Sequence, residues 1–149
     1  MEANIQRADF SHMLTIPTRW SDLDMLGHVN NTRFFTFDED ARLSYFEPLM
    51  NSDPGFWKEQ GLILAHIECD FVAQLHHPAQ LSVGLRVAKI GGSSLNTLAA
   101  IYNGDKLVAV TRGVIVWFDY IHQKPKKIPE SVRQWIRARE RVAPEEKAA

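Results

Sequence analysis

The order of hydrophobic patterns along the chain is the feature that most constrains its fold. Residues 11–19 alternate loosely and predict one strand, whereas residues 32–49 repeat apolar side chains at helical spacing. Pro48 stands where we expect that helix to end. At about 100° per residue, one stripe of the helix holds Phe34, Phe37, Ala41, Tyr45 and Leu49, flanked by Phe35 and Phe46.

Strand-like runs follow the helix, separated by turn residues such as the Asn103-Gly104 pair, which is typical of a hairpin. Residues 50–60 predict one short helical turn, and residues 130–141 a short basic helix. A strand, a long helix and then several strands predict an α+β fold, with a long central helix wrapped by an antiparallel sheet of about five strands. The four runs after the helix are Leu62 to Ala73, Leu81 to Ile90, Leu95 to Tyr102, and Leu107 to Tyr120.

Length, composition and charge limit the number of domains and the kinds of partner that we expect. A chain of 149 residues suits one domain, which we place at 1–142, followed by a flexible tail at 143–149. The formal net charge of −1 gives no general reason to expect nucleic acid or an anionic membrane as partner. The single cysteine, Cys69, and a polar start without a signal-peptide pattern lead us to expect a cytoplasmic protein. The apolar outer face and edge of the sheet predict a homodimer or homotetramer.

The segment from Arg19 to Asn31 concentrates groups that can do chemistry just before the long helix. The N-terminus of a helix offers free N–H donors, so polar side chains gathered there indicate a reaction site. The groups concerned are the carboxylates of Asp22 and Asp24, the imidazole of His28, the glycine Gly27, and the carboxamides of Asn30 and Asn31.

This segment resembles the signature of the hotdog-fold acyl-CoA thioesterases, the broad class that includes the 4-hydroxybenzoyl-CoA thioesterases. The resemblance rests on the Asp-x-Asp-x-x-Gly-His-Val-Asn-Asn run at 22–31 and on Glu39-Asp40-Ala41-Arg42, and it covers most of residues 11–129. It implies a hotdog fold, with Asp24 at the position of the catalytic aspartate. The run is also similar to the active-site segment of plant acyl-carrier-protein thioesterases, where an Asp, an Asn and a His act together. Leu26 stands at the Asn position, so that arrangement is incomplete here.

Three residues are the predicted catalytic set. Asp24 can act as general base on water or attack the thioester directly; alternatively it only shapes the loop as a turn residue. His28 can orient water, bond the thioester oxygen or hold Asp24; alternatively it stabilises the loop. Near Asn31, the backbone N–H groups of the helix N-terminus can polarise the thioester carbonyl.

The predicted substrate-binding residues are Gly27, Asn30, Phe35, Ser93 and Ser94. Each also has a structural alternative: a turn glycine, a helix cap, a core aromatic and an ordinary turn. Asp38 interrupts the apolar stripe where the family pattern has an apolar residue, and we expect it to pair with Arg42 one turn later. Histidine and cysteine spacing predicts no metal site, and no cofactor is expected.

The sequence therefore predicts an acyl-CoA thioesterase, which converts a thioester and water into a carboxylic acid and free CoA. Its substrate is an acyl-CoA or an acyl-carrier-protein thioester. Two alternatives remain open at this point. One is a hotdog dehydratase acting on acyl thioesters, although the Gly-His-Phe-Pro and Asn-Pro-x-His runs usual in that class are absent. The other is a non-catalytic module that binds acyl-CoA.

Overall fold

A computed structural model of the chain describes residues 5–146. Its helices are α1 (Arg33–Ser52), α2 (Phe56–Glu59) and α3 (Glu130–Arg139). Its strands are β1 (His12–Pro17), β2 (Gln60–Phe71), β3 (Gln80–Ile90), β4 (Ser94–Asn103), β5 (Lys106–Asp119), β6 (Lys124–Pro125) and β7 (Glu145–Glu146).

The five long strands form one antiparallel sheet in the order β1-β3-β4-β5-β2. Two short strands extend it: β6 pairs with β5, and β7 pairs in parallel with β3. The sheet curls around α1, so the α+β architecture predicted from the sequence is confirmed. β2 lies at one edge of this sheet, and that position matters for the site described below.

The apolar stripe of α1 packs on the concave face of the sheet. Phe34, Phe37, Ala41, Tyr45 and Phe46 are at most 3% exposed, as the helical spacing predicts. Burying a large apolar side chain contributes about 1.5–3 kcal/mol relative to leaving it exposed, so this stripe fixes the helix against the sheet. The facing strand residues with no exposure are Leu81, Val83, Leu85, Val87, Leu95, Ala99, Ile101, Ala109 and Trp117.

Asp38 lies inside this stripe with no exposure to solvent. Its Oδ2 accepts a hydrogen bond from Arg42 Nη1 at 2.5 Å, which confirms the predicted pair one turn apart. Its Oδ1 accepts a hydrogen bond from the Thr111 hydroxyl on β5 at 2.6 Å. Burial raises the pKa of the Asp38 carboxyl, while Thr111 and Arg42 act in the opposite direction.

Two sequence-based expectations about chain segments are wrong. Helix α1 does not end near Pro48 but continues to Ser52. Pro48 is exposed and removes only one intrahelical donor. Near the end of the helix, Ser52 Oγ and Trp57 Nε1 both donate to the Leu49 carbonyl.

Residues 145–146, which belong to the expected flexible tail at 143–149, make contacts with the rest of the structure. β7 pairs with residues 89–90 of β3, and Glu146 Oε1 accepts a hydrogen bond from Arg137 Nη2 at 2.7 Å. These contacts place the segment against α3 and the sheet. Residues 147–149 lie outside the described part of the chain.

Candidate active site

The loop between β1 and α1 carries the predicted catalytic residues and is tied down by backbone hydrogen bonds. The Asn30 N–H donates to the Asp22 carbonyl at 2.7 Å, and the Val29 N–H donates to the Leu75 carbonyl at 2.8 Å. An isolated bridge also joins His28 to His76. The loop is therefore held against the segment between β2 and β3, at the end of the sheet where β1 finishes.

Asp22 is a structural member of this loop. Its side chain is fully buried, and its Oδ2 accepts the Arg19 backbone N–H at 2.8 Å. Its Oδ1 lies 3.4 Å from Arg19 Nη2 and 3.8 Å from Arg33 Nε. The carboxylate thus joins the start of the loop to the first residue of α1.

Asp24 is half-buried and shapes the turn through one carboxylate oxygen only. Its Oδ1 accepts the backbone N–H groups of Leu26 at 2.9 Å and His28 at 3.2 Å. Within residues 5–146, no group donates a hydrogen bond to Oδ2. One oxygen therefore fixes the orientation of the carboxylate, and the other is available to water or substrate.

Gly27 allows the backbone to turn at the centre of the loop. Its φ is +80°, a conformation in which a Cβ is strained, and nothing lies within 4 Å of the place that a Cβ would take. The backbone conformation, and not crowding, is thus the reason for glycine at this position. The turn it makes leaves Asp24 beside an open depression lined by Leu23, Asp24, Met25, Leu26 and Asn30.

The N-terminus of α1 lies directly after this depression. Asn30 Oδ1 accepts hydrogen bonds from the Thr32 N–H at 2.9 Å and the Thr32 hydroxyl at 2.8 Å, so Asn30 holds the turn just before the helix. The Arg33 N–H donates to the Asn30 carbonyl, and the Phe34 N–H to the Asn31 carbonyl. Among the hydrogen bonds of residues 5–146, none uses the Asn31 backbone N–H as donor.

The His28 imidazole packs against a second histidine ring at the edge of the loop. Its partner is His76, with ring centroids 4.8 Å apart. Within residues 5–146, the hydrogen bond of His28 to the Asp24 carboxylate is made by its backbone N–H. His28 therefore positions Asp24 through the main chain.

The predicted substrate-binding residues do not all come together in one chain. Gly27 and Asn30 flank Asp24, and Phe35 lies half-buried in the first turns of α1. Ser93 is in the turn after β3 and Ser94 begins β4, whereas the Asp24 loop is near the start of β3, since Gln80 pairs with Pro17. Eleven residues of strand span roughly 35 Å, so the serines lie at the opposite end of the sheet.

A second cavity of about 300 Å³ lies between α1 and the strands β2 and β5. Aromatic and aliphatic side chains line it, with the Arg42 and Glu39 side chains as its charged members. The strand residues of this cavity could not be assigned from the sequence without the topology. The apolar lining residues are Leu43, Phe46, Met50, Trp57, Leu62, Leu64, Ile115 and Tyr120.

Cys69 is a poor nucleophile in this structure. Burial raises the pKa of its thiol to about 11, with a smaller contribution from the nearby carboxylates Asp70 and Asp38. The thiol is thus protonated at neutral pH. Among residues 5–146, no group of three or more His, Cys, Asp or Glu side chains is placed to hold a metal ion.

The comparison with known proteins identifies the family of this chain. The family model of the thioesterase-like superfamily matches residues 18–136. The chain is 30% identical over 89 residues to the uncharacterized protein YsmA of Bacillus subtilis (strain 168), an alignment that spans 60% of this chain and 59% of that protein. None of the helices in residues 5–146 has the length and hydropathy to cross a membrane.

Solved structures are similar over nearly the whole chain. A thioesterase from Thermus thermophilus, complexed with coenzyme A and Zn, has 30% identity and a TM-score of 0.76, covering 87% of this chain and 95% of its own. The PA5185 protein of Pseudomonas aeruginosa strain PAO1 has 29% identity and a TM-score of 0.80, covering 92% and 96%.

Proposed function

The chain belongs to the thioesterase-like superfamily, and on that premise we propose that it hydrolyses an acyl-CoA thioester to a carboxylic acid and free CoA. The observation that carries the proposal is a carboxylate with only one oxygen hydrogen-bonded, together with an unused backbone N–H just before α1. Asp24 is fixed through Oδ1 while Oδ2 is available, and the backbone N–H of Asn31 has no acceptor within residues 5–146. The similar thioesterase that is complexed with coenzyme A supports CoA as the carrier.

The reaction is a nucleophilic displacement at the thioester carbonyl carbon. In one route Asp24 Oδ2 takes a proton from water, whose oxygen bonds to the carbonyl carbon; the C–S bond then breaks and the CoA thiolate receives the proton. In the other route Asp24 itself bonds to the carbon and expels CoA thiolate. Water then cleaves the resulting anhydride. Both routes give the same products.

The N-terminus of α1 supplies the electrophilic half of the proposed site. The Asn31 N–H and the positive end of the helix dipole stabilise the oxyanion that forms at the carbonyl. Removing one such donor typically lowers kcat about 100- to 1000-fold. His28 contributes its backbone N–H to Asp24, and its ring packs on the His76 ring.

Two copies complete the site in this proposal. β2 is an edge strand, and its Leu64 and Phe71 side chains are 40% and 48% exposed. Antiparallel pairing of two β2 edges brings the start of one strand beside the end of the other. The end at Phe71 contacts Phe34 near the N-terminus of α1, with ring centroids 5.4 Å apart. The Asp24 loop of one copy then lies beside the 300 Å³ cavity of the other, which accommodates the acyl group.

The test is release of free thiol from short-chain, long-chain and aromatic acyl-CoA substrates. The proposal expects saturable hydrolysis of at least one class. If acyl-CoA binds and none is hydrolysed, the chain is a binding module and the proposal is wrong. Label found in the Asp24 carboxylate after multiple turnovers in water labelled with heavy oxygen establishes direct attack with water cleaving the anhydride at the Asp24 carbonyl carbon, because the general-base route never bonds water oxygen to Asp24.

A further inference from the structure

An exposed tryptophan stands on the surface beside the catalytic loop. Trp20 is 78% exposed, yet its indole packs on the His77 ring with centroids 4.5 Å apart. His77 is itself held in place, because its Nδ1 shares a hydrogen bond of 2.8 Å with the buried Thr18 hydroxyl. The His77 ring therefore holds the indole in place, and the indole exposes a flat apolar surface to solvent.

Two guanidinium groups, of Arg19 and Arg33, lie beside the same buried carboxylate in the turn that carries Trp20. The Arg19 and Arg33 side chains are 63% and 40% exposed, whereas that of Asp22 is fully buried. Arg33 Nη2 also donates to the Ser21 carbonyl at 3.1 Å, which ties its guanidinium to the turn that carries Trp20. Within residues 5–146, Arg19 Nε and Nη1 and Arg33 Nη1 donate to no acceptor. The Asp22 carboxylate is thus buried, while the exposed guanidinium groups of Arg19 and Arg33 keep N–H donors that no acceptor in the described residues uses.

We propose that Trp20, Arg19 and Arg33 bind the nucleotide end of coenzyme A; this inference rests on the proposed function and specifies its carrier. An aromatic face stacks on any base, and guanidinium donors match phosphate oxygens. The indole and the two cations suit an adenine with attached phosphates better than they suit an apolar ligand. Trp20 precedes Asp24 by four residues, so their Cα atoms are at most about 14 Å apart, a distance that the extended phosphopantetheine arm crosses.

The test compares acyl-CoA with the same acyl group on pantetheine, which has no nucleotide. Loss of one stacked base weakens binding about 5- to 150-fold, so Trp20→Ala raises the KM for acyl-CoA by at least about fivefold with little change in kcat. Its kcat/KM for acyl-pantetheine stays at the native value. Trp20→Phe restores most of the affinity, because the stacking surface remains. Ile121→Ala, which removes a side chain 64% exposed in another turn, is the matched control and leaves both substrates unaffected.

Calorimetry separates this inference from the proposed function. We expect the native protein to bind both CoA and its isolated phosphoadenosine diphosphate fragment. Trp20→Ala and Arg19→Ala should each lower the affinity for both ligands. This result does not depend on whether any thioester is hydrolysed. Equal KM values of native protein and Trp20→Ala for acyl-CoA overturn the inference while leaving hydrolysis intact. A change of oligomeric state in Trp20→Ala, or a strong preference for acyl-carrier-protein over acyl-CoA, overturns it as well.

Discussion

Removing the partner of a buried carboxylate should destabilise this protein strongly. In Arg42→Met, the Asp38 side chain, which is 1% exposed, keeps its hydrogen bond from Thr111 but loses its only ion pair within residues 5–146. Leaving one member of a buried pair uncompensated costs about 3–5 kcal/mol. For a domain of this size, that corresponds to a fall in Tm of roughly 6–20 °C.

The pH dependence gives this prediction a second readout. Burial raises the folded-state pKa of Asp38 above its ordinary value, and Arg42 counteracts that rise. Stability linked to a carboxyl with a raised pKa is present at low pH and is lost as pH rises through the folded-state pKa. The deficit of Arg42→Met relative to the native protein should therefore be greatest at neutral pH and shrink toward acidic pH.

Urea unfolding between acidic and neutral pH measures both effects. The double variant Asp38→Leu/Arg42→Met should recover most of the loss, because a hydrophobic replacement of a buried pair is often neutral or stabilising. A loss below about 1 kcal/mol in Arg42→Met at neutral pH, as for an exposed ion pair, would refute this account of Asp38.

Other expected outcomes concern the loop, the sheet edge and the cysteine. Gly27→Ala should lower the free energy of unfolding by about 1–2 kcal/mol in urea, since Gly27 has a φ of +80°, and Gly27→Asn should lose less. An equal loss in the two variants would contradict this reason for glycine. Ile63→Lys places a charge on the exposed β2 edge and should shift sedimentation toward the monomer, whereas an unchanged assembly would remove β2 from the interface. Cys69, with a thiol pKa of about 11, should react with iodoacetamide at pH 8 far more slowly in the native than in the urea-unfolded protein, as measured by mass spectrometry. Equal rates would contradict its burial.

Local patterns in the sequence predicted those parts of the fold that depend on neighbours along the chain. The stripe from Phe34 to Tyr45 follows from the helical period, and the pair between Asp38 and Arg42 follows from their spacing. The prediction that the helix ends near Pro48 was wrong because the free-energy cost of a proline within a helix depends on its surroundings. One such factor is whether the carbonyl that loses its N–H donor reaches solvent, and the sequence does not show this. Likewise, the β7 pairing depends on a strand 56 residues earlier in the chain, Lys89 facing Glu145.

Contacts between distant segments limited the prediction of the site. The turn around Asp24 is open to prediction from the sequence because its residues are contiguous, and its turn bonds lie within five positions. Thr111 as a partner of Asp38 could not be identified, since the two are 73 residues apart. Ser93 and Ser94 were predicted to bind substrate, yet the strand order places them at the other end of the same chain's sheet from the Asp24 loop.

The most direct test of the proposed chemistry is the turnover of Asp24→Asn with the best acyl-CoA substrate. An asparagine keeps the oxygen that accepts the Leu26 and His28 N–H groups, so the loop and the free energy of unfolding should be preserved. Loss of a catalytic carboxylate should lower kcat by about 100- to 10,000-fold. Asp105→Asn, in the exposed turn between β4 and β5, is the control with native turnover. Native-like kcat in a folded Asp24→Asn protein would contradict the proposed role of Asp24.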